Sequence, residues 1–167
     1  MSKSKSTFNY QLTFGDKILK NKNNILITQK NIKKKILGLY FSASWCPPCQ
    51  EFTSQLIKIY LQNQKKYNFE IVLIPFRETN KINFERYFQK MPWLSISPEN
   101  HTKITNLINK YKCTRIPTLI FINNQGKIIR DIIGLKERQT MIKNPKYFFD
   151  SLFREKKKSR TKKKRLR

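Results

Sequence analysis

Apolar residues recur along this chain in two rhythms. "KILGLYFSAS" (35–44) and "FEIVLIPF" (69–76) are near-continuous apolar runs of strand length, the pattern of strands covered on both faces. Between them Phe52, Leu56, Ile59 and Tyr60 return at helical spacing, predicting a helix from the prolines at 47 and 48 to about residue 66. Phe84, Tyr87, Phe88 and Met91 fall at i, i+3, i+4 and i+7, a second amphipathic helix. "SPEN" (97–100) predicts a third, capped by Ser97 with Pro98 in its first turn, and Ile104, Leu107, Ile108 and Tyr111 form its apolar stripe. "TLIFI" (118–122), "NNQG" and "KIIRDII" (127–133) read as two strands joined by a tight turn. Asn144 and Pro145 open a last helix that turns Phe149, Leu152 and Phe153 inward. Strands separated by helices, then a hairpin and a closing helix, predict an α/β fold of three layers around one sheet.

Composition adds a boundary at each end. The chain has 167 residues, 38% of them hydrophobic, enough for one domain with a packed core. Its 36 Lys and Arg against 10 Asp and Glu give a formal net charge of +26. Residues 154–167, "REKKKSRTKKKRLR", carry ten basic residues and one acid, and the 26 basic and nine acidic residues before them still leave +17. With Leu166 as its single aliphatic residue, this segment cannot bury enough surface to fold alone and is expected to be a disordered polybasic tail. The expected organisation is an N-terminal extension at 1–11, a domain at 12–153 and the tail at 154–167. In the tail Lys156, Lys157, Lys158, Arg160, Lys162, Lys163, Lys164, Arg165 and Arg167 are candidates for contacting nucleic-acid phosphates or an acidic partner, or for a nuclear address. No aromatic residue interleaves with them, so base stacking is not indicated.

No apolar run approaches the roughly 18 residues of a membrane span, and "MSKSKSTFNYQ" at the start lacks a secretory apolar core. Three cysteines do not make a disulfide scaffold, which points to a reducing compartment, cytoplasmic or nuclear. The basic, nearly acid-free first 35 residues leave a mitochondrial location as the alternative, although they are rich in Lys rather than Arg.

The chemistry gathers in "SASWCPPCQEF" (42–52), which holds two of the three cysteines. Cys46 falls where a buried strand ends and a helix begins, and a helix start offers free N–H groups and a partial positive charge. A thiol placed there ionises more readily than a free one of pKa about 8.5, and the thiolate is the nucleophile. Cys49 lies one turn on, within reach of the Cys46 sulfur. Pro47 and Pro48 suit the first helical turn and stiffen the ring that the two cysteines would close. The pattern therefore predicts an attacking thiol beside a resolving one. Zinc is the competing use of such a pair, but the remaining ligand candidates, Cys113 and His101, do not form a second close pair. Cys113 reads instead as a packing residue and His101 as a surface helix residue. A third reading keeps the fold with its cysteines incidental, as a structural subunit of a nucleic-acid-containing assembly such as a ribonucleoprotein, bound through the basic surface and tail.

Three motifs together, "YFSASWCPPC" (40–49), "KMPWL" (90–94) and "RIPTLIFI" (115–122), resemble the tryparedoxin and nucleoredoxin branch of the thioredoxin superfamily, over about Phe14 to Gly134. The resemblance implies a thioredoxin-like three-layer sandwich with a central mixed β-sheet, and a protein-disulfide reductase that needs no metal or organic cofactor. It assigns Cys46 as nucleophile, Cys49 as resolver, and Trp45 as the aromatic that shields the sulfur and meets the partner. It makes Ile116–Pro117 a cis peptide bond facing the pair, with the Ile116 backbone pairing with substrate. It also implies a small thiol, a dithiol or a flavin reductase as electron donor, and peroxiredoxins or other disulfide-bearing proteins as recipients. Two departures stand out: Gln50 replaces the arginine common after the second cysteine, and Arg77 in "PFRET" (75–79) replaces an expected acid. Glu78 remains as a candidate proton handler. Trp93 is expected to pack rather than to bind substrate.

Overall fold

The computed structural model describes residues 8–15, 18–20, 25–27, 32 and 35–164, with the backbone alone at 11, 19–20, 25–27 and 155–164. The elements are α1 (Tyr10–Phe14), β1 (Ile18–Lys20), β2 (Ile25–Ile27), β3 (Ile36–Ser42), α2 (Pro47–Tyr67), β4 (Phe69–Pro75), α3 (Lys81–Phe88), β5 (Leu94–Ser95), α4 (His101–Lys110), β6 (Thr118–Ile122), β7 (Ile128–Ile132), α5 (Leu135–Lys143) and α6 (Pro145–Lys164). One sheet of seven strands runs in the order β2-β1-β5-β4-β3-β6-β7. β3, β4 and β5 are parallel to one another, while β6 pairs antiparallel with β3 and β1 antiparallel with β5, so the sheet is mixed.

Period-two alternation along the central strands divides the core in two. Ile36, Tyr40, Ile71, Leu73, Leu119 and Phe121 face the layer of α2, α3, α5 and α6. Leu37, Leu39, Phe41, Val72, Ile74, Ile120 and Ile122 face the layer of α1 and α4. Both faces of β3 and β4 are buried along their whole length, which is why these strands read as unbroken apolar runs. Trp93 is fully buried, its ring edge-on to Tyr40 and Tyr60 at 6.1 and 5.5 Å, so it packs as expected.

Boundaries shift where local contacts decide them. α4 begins at His101, and its cap is Asn100, whose side chain accepts from the Lys103 N–H. The cap expected at Ser97 is displaced because the Asn100 N–H is spent on the Ser97 carbonyl, closing a turn before the helix starts. Phe8 and Tyr10, within the stretch assigned to an extension, are buried with Phe14 in the α1 and α4 layer. β1, β2, β5 and α5 have no counterpart in the periodicity. β5 is two residues long, and α5 buries only Met141, so neither carries a pattern long enough to read. The backbone of α6 runs through Lys164, into the segment 154–167. The side chains from 155 onward lie outside the described residues. No helix among the described residues is long and apolar enough to cross a membrane.

Candidate active site

β3 ends at Ser42, and a turn through Ser44 and Trp45 delivers the chain to Cys46, the N-cap of α2. Because Pro47 and Pro48 lack N–H groups, the first donor of the helix is Cys49, whose N–H reaches the Cys46 sulfur at 3.3 Å while also facing the Cys46 carbonyl at 3.1 Å. The two cysteines are joined as a disulfide, with Cα atoms 5.2 Å apart. Both are buried: Cys49 has no exposed surface, and Cys46 keeps 4%. Ala43 and Ile116 pack against the pair.

The other predicted residues converge on this point from three loops. Trp45 is 53% exposed, and its indole N–H donates to the Arg77 carbonyl at 3.3 Å. Ile116–Pro117 is a cis peptide bond. Glu78 comes close in space, but its carboxylate accepts from both the N–H and the hydroxyl of Ser44, at 2.8 and 2.7 Å, and so serves the turn that carries the cysteines. Gln50 donates to the Ser44 carbonyl at 2.7 Å, bracing the same turn from the helix side.

Behind Cys49 lies a chain of buried hydroxyls that the motifs do not reveal. Tyr40 donates to the Cys49 carbonyl at 3.2 Å and shares a 2.8 Å hydrogen bond with Thr53, which meets Tyr87 at 2.6 Å, and Tyr87 meets Ser42 at 2.7 Å. Burial holds the Tyr40 phenol well above the usual tyrosine range, and burial raises Tyr87 as well, so both stay neutral donors at physiological pH. Their signal was hidden because Tyr40 and Tyr87 also fit the apolar patterns of their strand and helix.

Arg138 is a second residue that sequence reasoning missed. It donates to the carbonyls of Pro117 and Ile133 at 3.2 and 3.1 Å, holding the cis-proline loop to α5, and lines a groove of about 220 Å³ beside Pro48 and Phe52. Cys113 is buried and donates to the Arg115 carbonyl at 3.4 Å; burial pushes its thiol pKa up. His101 is exposed at the start of α4. Among the described residues no group of three or more His, Cys, Asp or Glu is arranged to hold a metal ion. The basic tail candidates, Lys156 to Arg167, lie outside the described side chains.

Residues 34–128 match a family model described as thioredoxin-like. A tryparedoxin of Trypanosoma brucei brucei is 40% identical over 111 residues, covering 66% of this chain and 74% of that protein. A probable nucleoredoxin 1 of Arabidopsis thaliana is 39% identical over 97 residues, but these are 58% of this chain and only 17% of that much longer protein. Among solved structures, tryparedoxin I of Leishmania major superposes with a TM-score of 0.71 at 34% identity, covering 81% of this chain and 90% of that one. A tryparedoxin II complexed with glutathionylspermidine superposes at 0.69 and 33% identity, over 78% of this chain and 87% of that one.

Proposed function

From the premise that this chain belongs to the thioredoxin-like family, we propose that it is a protein-disulfide reductase in which Cys46 attacks and Cys49 resolves. The observation that carries the reading is the asymmetry of the pair: Cys46 caps the helix, accepts from the Cys49 N–H at its sulfur and keeps slight exposure, while Cys49 has none.

In the reduced protein the Cys46 thiolate attacks one sulfur of a target disulfide. A Cys46–target mixed disulfide forms, and the other target sulfur leaves as a thiolate that takes up a proton. Cys49, having lost its proton, then attacks the Cys46 sulfur, closing the Cys46–Cys49 disulfide and releasing the second target thiol. Two electrons pass from the dithiol to the target, and the oxidised form is the one described above. Trp45 meets the partner, and the backbone at Ile116 beside cis-Pro117 aligns the target strand. A small thiol or dithiol recharges the pair, a choice supported by the glutathionylspermidine bound to a structurally similar tryparedoxin; a flavin reductase is the alternative donor. Peroxiredoxins and other disulfide-bearing proteins are the proposed recipients, in the cytoplasm or nucleus.

The test is reduction of a protein disulfide by the full chain at fixed ionic strength, with a limiting dithiol and Cys46→Ser alongside. The expected result is turnover that disappears in Cys46→Ser. Folded, fully reduced protein without turnover would instead favour the second reading, a nucleic-acid-bound subunit, which the net charge of +26 supports.

A further inference from the structure

The charges around Cys46 are unevenly answered. β3 and β4 stop at the same end of the sheet: Ser42 pairs with Pro75, and the Phe76 N–H closes on the Ser42 carbonyl at 2.8 Å. The next residue, Arg77, therefore leaves the sheet beside the cysteine turn. Its φ of 48° turns the chain sharply, which is unfavourable for a residue with a Cβ. That turn aims its carbonyl at the Trp45 indole, while its guanidinium lies over the Phe76 ring, 5.3 Å from the centroid. Arg77 is exposed and makes no ion pair among the described residues.

A second cation approaches from the cis-proline loop. Arg115 immediately precedes Ile116, which packs on the pair. Its carbonyl is fixed by Cys113 and by the Thr118 hydroxyl at 2.8 Å, whereas the residue itself is exposed and has no ion pair among the described residues. The nearest acid, Glu78, is committed to Ser44 through both oxygens, and Glu51 sits further along α2, lining the groove beside Pro48. The two loops that meet the cysteine turn, one through the Arg77 carbonyl on Trp45 and one through Ile116 on the pair, thus each carry an exposed arginine with no ion pair among the described residues.

Building on the disulfide-exchange reading, we infer that this rim selects target disulfides set in acidic segments, with Asp or Glu within a few residues of the attacked cysteine. Carboxylates there would take up the unused donors of Arg77 and Arg115, a pairing that guanidinium groups make in a fixed two-pronged geometry. The guanidinium groups would also offset the repulsion between an acidic segment and the attacking thiolate. Arg77 and Arg115 are specificity residues in this account, and the pair itself does the chemistry.

The test must separate this rim from the net charge of the whole molecule. Lys127 supplies the control. β6 runs from the cis-proline antiparallel to β3, with Ile122 opposite Leu37, so the turn bearing Lys127 lies at the far end of the sheet. Two disulfide-linked peptides of equal length, one flanked by Asp and Glu and the other by Lys, are turned over by the full chain at fixed ionic strength. The ratio of their kcat/KM values is read in the parent, Arg77→Asp, Arg115→Glu and Lys127→Asp. Aspartate tolerates positive φ better than most residues, so the Arg77 variant keeps its turn.

The expected ratio in the parent is about tenfold in favour of the acidic peptide, equivalent to about 1.4 kcal/mol. It should fall toward one in both rim variants and hold in Lys127→Asp. A parent ratio near one, or an equal fall in Lys127→Asp, overturns the inference. Cysteine-free versions of both peptides, titrated against the fluorescence of exposed Trp45, read the rim without any turnover. Selective, Arg77-dependent quenching by the acidic peptide from a chain that reduces neither disulfide would sustain the rim and sink the reductase reading. Turnover without peptide preference would do the reverse.

Discussion

Trp45 shows at the scale of one residue how function and stability part company. It is half exposed and holds one hydrogen bond, from its indole to the Arg77 carbonyl, so losing it removes little buried surface. Trp45→Ala should stay within about 0.5 kcal/mol of the parent in a denaturant titration, as exposed substitutions usually do. Its kcat/KM for a protein disulfide should fall by about tenfold, the loss expected when a flat aromatic anchor leaves a binding surface. A matching drop in denaturation midpoint would instead make Trp45 a structural residue. Cys46, Cys49 and Trp45 were legible because they sit within five residues of one another. Tyr87 and Arg138 were not, because each reaches the site through a partner distant in sequence: Arg138 meets Pro117 across 21 residues, and Tyr87 meets Ser42 across 45.

At the scale of elements, α6 is fastened to the end of α2 by one carboxylate. Asp150 accepts from Lys146 at 2.9 Å and from the Tyr67 hydroxyl at 2.7 Å, while Phe149 stacks on Tyr67 below. The hydrogen bond from Lys146, then that from Tyr67, lowers its carboxyl from an ordinary 3.8 to about 2. A carboxyl lowered in the folded state contributes stability that is present above its unfolded pKa and is lost as pH falls through the folded one. Asp150→Asn should therefore melt below the parent at neutral pH, and the gap should close between about pH 4 and pH 2. Because the carboxylate is partly solvent-exposed, the gap should be small; a gap independent of pH would show that the charge is not what fastens the helix. α6 was predicted from Asn144, Pro145 and its inward phenylalanines, but α5 before it was not. With Met141 alone buried, α5 shows no apolar stripe of its own, and its place between β7 and α6, against α2, is set by the fold.

The whole molecule carries its charge on two separable parts. Residues 155–167 contain nine basic residues and one acid, and among the described side chains of α6 the buried ones are Phe148, Phe149 and Leu152. A chain ending at Arg154 should keep its turnover of a protein disulfide and bind a single-stranded oligonucleotide less tightly. The slope of log affinity against log salt should fall by about one for each phosphate that the shortened chain no longer neutralises. An unchanged slope would place polyanion binding on the remaining body, still strongly basic. By itself, the sequence determined the central strands β3, β4 and β6, the helix after the cysteines, and the pair itself. Each is written in contiguous residues, as apolar runs, helical spacing or a motif at a strand-to-helix junction. The tertiary structure alone decided how deeply each sulfur is buried, which hydroxyls stand behind the pair, and which loops meet the turn that carries it. Those properties arise where three loops meet at one end of the sheet, and that meeting depends on strand register and order.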